Sequence, residues 1–493
     1  MSPPPAFALL ANGTSLPWRD VPEWPAEELA ARTAAELGRG ARLCAWFGVA
    51  EGAGTRIAAV LALDADNALA AARSAPEAGG YPSLTGAHAQ AHLFERELWE
   101  QHGLVPRGHP WLKPVRASAG TAPAAAEFFR VGGREVHEVA VGPVHAGIIE
   151  PGHFRFQCAG EEVLHLEIAL GYQHRGVERG LAGGPHRATA SQVEAVAGDA
   201  TVAHATAHAS VAEALAGAEA PMRAQWLRLI ALELERLANH TGDLGALAND
   251  VAFLPTASAC GRIRGEFLNL TALICGNRFG RGLVRPGGCR HDLEPPRLAR
   301  LAEGLDRALA DVERASEWLW DSASVRARFE GTGMLTAEQA AQLGLVGPAA
   351  RACGLVRDVR FDHPAGWHRL AQAPVAVWPS GDVFARARVR SLEIQRSGRL
   401  LREQLAAPPE GGVRGELPGP APESLAVALV EGWRGETCHV AVTGADGRFR
   451  RYKIVDPSFH NWMGLAIAMR GQAVSDFPVC NKSFNLSYCG TDL

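Results

Sequence analysis

A long amphipathic helix in the middle of the chain is the feature that most constrains the fold. It is predicted to start after Pro221, a residue well suited to the first turn of a helix. Its apolar residues recur at spacings of three and four, which places them on one face: Leu227, Ile230, Leu234 and Leu237. A second helix with the same spacing is predicted from about Leu298 to Leu319. The sequence therefore predicts a large, mainly helical core.

Composition narrows the class of partner. At 493 residues the chain is long enough for about two to four domains. Its 49 basic residues against 53 acidic residues leave a net charge of −4. So balanced a chain has no excess of positive charge for nucleic acid or a strongly anionic membrane surface. Nucleic acid is not expected among the partners.

The sequence also limits where the protein is expected to work. No segment approaches the run of about 20 apolar residues that a membrane-spanning helix needs, and residues 1–11 do not resemble a signal peptide. The nine cysteines are scattered without a Cys-x-x-Cys pair, which favours free thiols in a reducing compartment. We expect a cytoplasmic protein that reaches the membrane only through partner subunits.

Two domains and a linker are predicted. Residues 117–126 are small residues and proline without periodicity, as in a linker. Residues 1–116 alternate helical and strand patterns, with a helix at 26–38, strands at 42–49 and 56–62 and a helix near 86–102, so they predict a small α+β domain. Residues 127–493 predict a mainly α-helical domain with small peripheral β-sheets. Its expected elements include strands at 135–141 and 154–158, unbroken helix over 187–216, a loop at 407–422 and a hairpin around the turn 444–447.

The end of the first domain carries a family signature. Within residues 81–116, Glu95, Arg96 and Glu97 are followed by Gly103 and then by Gly108-His109-Pro110. This order resembles the 30-kDa quinone-module subunit of complex I. A charged helix that ends at a glycine would explain part of the pattern, but the whole run of matches favours the family.

Seven further segments resemble the large subunit shared by complex I (its 49-kDa subunit) and nickel-iron hydrogenases. They follow the family order at 141–156, 170–181, 232–247, 276–288, 344–364, 381–390 and 451–462. The fusion of both domains resembles the large subunit of energy-converting, formate hydrogenlyase-type hydrogenases. No dinucleotide-binding Gly-x-Gly-x-x-Gly motif follows a predicted strand, so nicotinamide binding by this chain is not expected.

The cysteines that hold nickel and iron in that family have no counterparts here. The resemblance places the first ligand pair before Ala203-His204, at Ala197 and Ala200, and the second after Asp456-Pro457, at Ser458 and Asn461. Alanine offers no donor atom, and neutral serine and asparagine are poor ligands for a soft-thiolate site. We expect no nickel-iron centre. The chain resembles hydrogenase-related subunits that lack these cysteines, which share the C-terminal sequence found at 476–488.

The resemblance also suggests a quinone-type site. In complex I, a histidine of the entry strand and a tyrosine near the first motif hold the quinone headgroup. The histidine corresponds to His153, with His145 as the alternative, whereas the tyrosine has no match around residues 194–204. Quinone is therefore a tentative ligand.

Several polar residues near the missing ligands are candidates for a proton relay. His204 and His208 share a helical face, and Asp199 precedes them by about one turn. Asp456 and His460 form a second cluster, and Glu178 could carry protons toward membrane partners. Each has a structural alternative: packing histidines within an alanine-rich helix pair, a helix cap at Asp456 or Ser458, and a salt bridge of Glu178 with Arg175 or Arg179.

Two functions follow as expectations. In the first, the chain is an oxidoreductase subunit with a redox cavity beside an iron-sulfur partner, and it couples electron transfer to ion movement. In the second, it is a structural or conformational adaptor. In both, the resemblance implies a small iron-sulfur subunit that holds the cluster, and antiporter-like and anchor subunits that hold the complex on the inner face of the membrane.

Overall fold

The computed structural model describes residues 6–116, 127–147 and 149–493. The linker predicted at 117–126 lies outside the described residues. Within the described ranges, no helix is both long enough and apolar enough to cross a bilayer.

The N-terminal region is built around one mostly antiparallel sheet. Its elements are β1 (Ala8–Leu10), β2 (Thr14–Pro17), β3 (Glu23–Trp24), α1 (Ala26–Gly38), β4 (Arg42–Glu51), β5 (Gly54–Leu63), β6 (Ala68–Ser74), β7 (Gly80–Pro82), α2 (His92–His102) and β8 (Val105–Arg107). The sheet order is β1-β6-β5-β4, with β3 beside β6. The predicted α1, β4 and β5 are confirmed. Helix α2 begins at residue 92 rather than 86, because residues 89–91 form a 3-10 turn.

The rest of the chain is mixed α and β with a helical core. Its first part contains β9 (Val136–Val141), β10 (His153–Ala159), β11 (Glu162–Ala169), α3 (Val177–Leu181), α4 (Thr189–Glu194), α5 (Thr201–Ala216), α6 (Met222–Asp250), α7 (Leu254–Cys275), β12 (Val284–Arg285) and β13 (Gly288–Cys289). Its second part contains α8 (Pro295–Asp321), α9 (Ala323–Phe329), α10 (Ala337–Gln342), α11 (Gly347–Arg351), α12 (Val359–Asp362), α13 (Val383–Ala406), β14 (Ser424–Gly432), β15 (Gly435–Thr443), β16 (Phe449–Val455), α14 (Pro457–Ala468), α15 (Phe477–Phe484) and α16 (Tyr488–Asp492).

Helix α6 lies at the centre of this core and packs against α7 and α13. Its predicted apolar face is completely buried. Charged residues on its other faces are buried too, because neighbouring elements supply partners. Arg236 pairs with Glu393 of α13, and Glu233 pairs with Arg360 of α12. Charged side chains are tolerated in such an interior only when they are paired.

The expectation of unbroken helix over residues 187–216 is wrong. Helix α4 ends at Glu194, and α5 starts only at Thr201. Ala200 has a non-helical backbone at φ −125° and ψ 35°. The Asp199 side chain and carbonyl oxygen are held by residues of a distant hairpin (below), so tertiary bonds override the helical preference of the alanines.

The C-terminal hairpin is confirmed: β15 and β16 pair antiparallel on either side of the turn at 444–447. Its sheet has the order β16-β15-β14-β2, so a strand from the start of the chain completes it. Residues of β14, β15 and β16 also share one apolar core with the N-terminal sheet. The two predicted domains therefore meet through a common sheet and core.

The burial of the α6 face leads to a stability prediction. Replacement of Leu237, which is fully buried, with alanine should lower the free energy of unfolding by about 2–5 kcal/mol, because it leaves a cavity in the core. The measurement is the urea midpoint of the purified chain. Met222→Ala, at an exposed position of the same helix, is the control and should change the midpoint little. Equal shifts in both variants would contradict the assigned packing.

Candidate functional site

Two residues at a hairpin tip lie beside Ala197 and Ala200, the first pair of positions where the family's cysteine ligands are expected. Ala197 and Ala200 are buried in the break between α4 and α5, where they form a small apolar cluster with Trp433. Trp433 lies in the turn between β14 and β15, and its indole N–H donates to the Asp199 carbonyl oxygen at 2.8 Å. An aromatic side chain thus packs on the two positions where thiolates would stand.

Arg434, the next residue of the turn, fixes Asp199. Its Nη1 and Nη2 donate to the two carboxylate oxygens of Asp199 at 2.5 and 2.8 Å, and its Nε donates to the Asn485 carbonyl oxygen at 2.6 Å. The guanidinium carbon also lies 3.9 Å from the centre of the Trp433 ring. A bidentate ion pair of this kind is strong and directional. Asp199, a predicted relay group, is instead engaged as an anchor for the hairpin tip.

Ser458 and Asn461, which stand at the second pair of expected ligand positions, form hydrogen bonds to backbone groups. The Ser458 hydroxyl accepts from the Ser487 backbone N–H at 2.8 Å. The Asn461 side chain accepts from the Val346 N–H and donates to the Val346 carbonyl oxygen, at 3.0 and 3.1 Å. Two alanines and two side chains already bonded to backbone do not fit a nickel-iron centre. Within the described ranges, no cluster of three or more His, Cys, Asp or Glu side chains could hold a metal ion.

A continuous chain of five buried hydrogen-bonding side chains starts beside this region. His204 Nε2 lies 3.2 Å from Asp456 Oδ2, and His204 Nδ1 lies 3.0 Å from His439 Nε2. His439 Nδ1 lies 3.0 Å from the Tyr452 hydroxyl, which lies 2.9 Å from His208 Nδ1. All five are almost completely buried. We call this set, Asp456–His204–His439–Tyr452–His208, the buried relay.

The protonation states of the relay follow from its surroundings. Burial lowers the pKa of His208 to about 4 and the pKa of His439 well below its usual range. Burial alone would raise the pKa of Asp456, but the hydrogen bond from His204 and the charge of Arg434 bring it below its usual value. At neutral pH, Asp456 is therefore ionised, and His208 and His439 are neutral. With Asp456 as the terminal acceptor, the tautomers that carry a proton on His204 Nε2, His439 Nε2 and His208 Nδ1 give each relay hydrogen bond one donor and one acceptor.

Asp456 caps a helix, as one interpretation of the sequence predicted, and it also contacts His204, a predicted relay residue. Its Oδ1 accepts from the Ser458 N–H at 2.8 Å and caps α14, while its Oδ2 faces His204. His460, in contrast, is not part of the relay. Its ring packs edge-on against Phe94 of α2 at 5.5 Å, and burial lowers its pKa to about 4.

Glu178 is paired, though with neither Arg175 nor Arg179, the partners expected from the sequence. It accepts from Arg451 at 2.8 Å and lies 3.0 Å from Lys453 Nζ. The same Lys453 ammonium lies 2.7 Å from Glu97 of the N-terminal signature. One buried lysine therefore joins signature carboxylates from both parts of the chain.

The two candidate quinone ligands lie apart from these bonds, around the β9–β10 connection. His145 Nε2 lies 2.8 Å from the Gly152 carbonyl oxygen, and His153 Nδ1 lies 3.2 Å from the Gly142 carbonyl oxygen. His153 Nε2 is buried and has no hydrogen-bond partner among the described residues. The ring of Tyr488 packs so closely on Gly152 that a Cβ there would lie 2.6 Å from it. A tyrosine from the C-terminus, which the sequence did not single out, thus packs beside the residue that precedes His153.

A further titratable group lies at the start of α5. The Glu235 carboxylate, on α6, accepts from the backbone N–H groups of Val202 and Ala203 at 2.7 and 3.2 Å. Burial nevertheless raises its pKa to about 8. A carboxyl group that holds a proton near neutral pH thus contacts the backbone two residues beyond Ala200.

The sequence did not single out His439, Tyr452, Trp433, Arg434 or Glu235. The two relay members His439 and Tyr452 lie in the hairpin strands β15 and β16, and both are buried. A histidine and a tyrosine at buried strand positions are polar groups that need partners. That requirement was the available signal, although it does not say which partners they find.

Comparisons with known proteins agree with this architecture. Residues 250–419 match the family of the respiratory-chain NADH dehydrogenase 49 Kd subunit. Formate hydrogenlyase subunit 5 of Escherichia coli (strain K12) is 30% identical over 439 residues, which cover 84% of this chain and 77% of that protein. An NADH-quinone oxidoreductase subunit of Clostridium beijerinckii is 27% identical, with 70% of this chain and 94% of that protein covered.

A solved structure shares the fold. A chain of the membrane-bound sulfane sulfur reductase, an archaeal respiratory membrane complex, matches with a TM-score of 0.69 at 22% identity, over 73% of this chain and 99% of that chain. The fold and the curated relatives together define a class, the large subunits of hydrogenase-type and complex I-type oxidoreductases. This chain belongs to that family, together with formate hydrogenlyase subunit 5, and the resemblance drawn from the sequence is confirmed.

The raised pKa of Glu235 predicts a pH dependence of stability. The pKa of this carboxyl group is 4.5 in the unfolded chain and about 8 in the folded chain. As the pH rises between these values, the unfolded chain loses its proton first, so its free energy falls relative to that of the folded chain. Thermal stability of the native chain should therefore fall from pH 5 to pH 8 relative to Glu235→Gln. The measurement is the melting temperature across that range. Glu403→Gln, at an exposed position, is the control, and parallel curves for the native chain and Glu235→Gln would contradict the assignment.

Proposed function

We propose that this chain is the large subunit of a membrane-associated oxidoreductase complex in which it conducts protons rather than supporting nickel-iron chemistry. Electrons are carried by an iron-sulfur cluster in a small partner subunit. Antiporter-like and anchor subunits hold the complex on the inner face of the membrane and use the coupled protons or ions. The proposed arrangement is of two fused regions, residues 1–116 and 127–493, that act as one rigid unit through their shared sheet.

The observation that carries the proposal is the unbroken order of hydrogen bonds in the buried relay. Four consecutive contacts of 2.9–3.2 Å join His208 to Asp456. Buried histidines need hydrogen-bond partners in any case, but here the partners join in one line that also forms a path for a proton. Such donors and acceptors in line allow a proton to pass without the movement of any heavy atom over a long distance.

The transfer can be written bond by bond. A proton taken up at His208 Nε2 releases the Nδ1 proton to the Tyr452 oxygen, and the tyrosine proton passes to His439 Nδ1. His439 Nε2 then protonates His204 Nδ1, and His204 Nε2 delivers its proton to Asp456. The net result is one proton moved from the His208 end to the Asp456 carboxylate. Because burial disfavours charged imidazoles, the shifts occur together rather than through a long-lived imidazolium.

A quinone-type ligand is proposed at a second place, beside His153. The buried His153 Nε2 has no partner among the described residues, and it is a polar atom of the kind that would hold a carbonyl oxygen of a quinone. His145 is bonded to backbone at one nitrogen and would orient the loop. When bound, a quinone would accept electrons from the iron-sulfur partner and protons from the protein.

An adaptor without chemistry of its own is the alternative, and one observation favours it. Trp433 packs on Ala197 and Ala200, so protein atoms cover the surface where a metal cluster would sit. In this alternative, Glu178, Lys453 and Glu97 serve only as a buried brace between the two regions. The two proposed functions differ in whether the relay transfers protons, and this difference can be measured.

The relay is tested with Tyr452→Phe in the intact complex. The variant keeps the ring but removes the hydroxyl that bridges His439 and His208, so proton-coupled turnover should fall by about tenfold or more. Turnover is measured in membrane vesicles with reduced methyl viologen as donor, in H₂O and D₂O, with proton uptake followed by a pH-sensitive dye. The variant should also change the solvent isotope effect, which a purely structural residue would not.

Tyr172→Phe is the matched control, since the hydroxyl of Tyr172 has no partner among the described residues. It should leave both turnover and isotope effect unchanged. If Tyr452→Phe turns over and takes up protons like the native complex, the relay does not conduct and the adaptor function stands.

The metal content gives an independent prediction. The purified complex should contain iron but no stoichiometric nickel when analysed by inductively coupled plasma mass spectrometry, because neither pair of ligand positions offers a thiolate. One nickel per chain would contradict the proposed function.

A further inference from the structure

A cavity of about 310 Å³ lies where the N-terminal region meets the sheet of β11 and helix α14. It is lined by the first turn of α2, by residues within 110–115, and by residues 165–170 at the end of β11 and just beyond it. It shares no residue with the buried relay. Its volume falls at the lower end of the range for small-molecule sites, which are common at boundaries between domains.

The charges around this cavity are unbalanced. Arg96, Lys113 and Arg470 line it together with a single carboxylate, Glu167. Both oxygens of Glu167 are already used: one pairs with Lys113 at 2.5 Å, and the other accepts from the Phe129 N–H at 2.8 Å. Two cations therefore face the cavity without a neutralising carboxylate among its lining residues.

Arg96 shows the imbalance most clearly. It is only 7% exposed, and its Nε and Nη2 donate to the carbonyl oxygens of Lys113 and Pro114, each at 2.7 Å. Burial lowers its pKa to about 10, although the charges of Glu167 and Glu100 act in the opposite direction. Its bonds are thus to neutral carbonyl groups rather than to a carboxylate. A buried cation without a paired counter-charge is destabilising, and an anion that enters the cavity would offset that penalty.

The remaining lining is apolar and aromatic. Trp111 lies 5.2 Å from the Arg96 guanidinium and 5.0 Å from the Lys113 ammonium. Phe129 packs on the His165 ring at 4.7 Å, and the buried His165 Nε2 has no hydrogen-bond partner in the described chain. Other apolar contacts come from Leu93, Ile168, Trp462 and Met463. The cavity thus combines an apolar, aromatic lining with the two cationic side chains Arg96 and Arg470.

We propose that this cavity is a binding site for a hydrophobic carboxylate. The carboxylate would lie against Arg96 and Arg470, and its apolar part would lie among Trp111, Phe129 and Trp462. A volume of about 310 Å³ suits a medium-length acyl or aryl acid rather than a two-chain lipid. Because the site touches both regions of the chain, its occupant would brace their interface.

The test uses decanoate as the probe and the purified full-length chain, with isothermal titration calorimetry as the measurement. Decanoate should bind with a stoichiometry of one, and decanol, which lacks the charge, should bind at least tenfold more weakly. Ala466→Phe, which fills the cavity from α14, should abolish binding. Arg470→Gln changes an exposed residue and should weaken decanoate about two- to fivefold without an effect on decanol.

Arg307→Gln is the control for charge, since Arg307 is exposed on α8 and does not line the cavity. It should leave decanoate affinity unchanged. No binding of decanoate, or equal binding by the native chain and Ala466→Phe, would overturn the proposal. Tighter binding of decyl phosphate than of decanoate would overturn the choice of a carboxylate. None of these results depends on proton conduction by the relay.

Discussion

The hydrogen bond between His204 and Asp456 joins two segments that are far apart in the sequence, the start of α5 and the start of α14. His204 lies one turn beyond Ala200, and Asp456 caps the helix that carries Ser458 and Asn461. One buried contact thus joins the two segments that carry the predicted ligand positions, Ala197 and Ala200 before α5 and Ser458 and Asn461 in α14. In a low-dielectric interior, an ionised carboxylate facing an imidazole is a strong link between them.

The tip of the β14–β15 hairpin complements this contact. Trp433 supplies apolar volume over the two alanines, and Arg434 ties the intervening Asp199 to the same turn. Loss of four metal ligands would otherwise leave a void and a break in helical structure with free polar groups, both of which are costly in a close-packed interior. Two adjacent residues of the hairpin tip meet both requirements: Trp433 fills the volume, and Arg434 bonds the polar groups.

Buried charge recurs through the core. Arg351 pairs with both Glu393 and Glu431, and Lys453 pairs with both Glu97 and Glu178. Removal of one member from such a group costs far more than the net value of the pair, because it strands the others in a low-dielectric interior. The arrangement fixes which elements can be neighbours. It also provides titratable groups, such as Glu235, at depths where protons can be held near neutral pH.

The sequence by itself determined the family, the apolar face of α6 and the hairpin of β15 and β16, because each depends on local spacing or on motifs in order. It also predicts that Ala197, Ala200, Ser458 and Asn461 occupy the positions of the family's cysteine ligands. Only the tertiary structure decided what surrounds the first pair, since Trp433, Arg434, His439 and Tyr452 reach α5 and the break before it from a distant part of the chain. The tertiary structure also ends the helix expected across residue 198, gives Glu178 a lysine and an arginine from β16 as partners, and packs the His460 ring against Phe94. Long-range contacts of this kind are set by how strands and helices pack, and single-sequence periodicity carries no record of them.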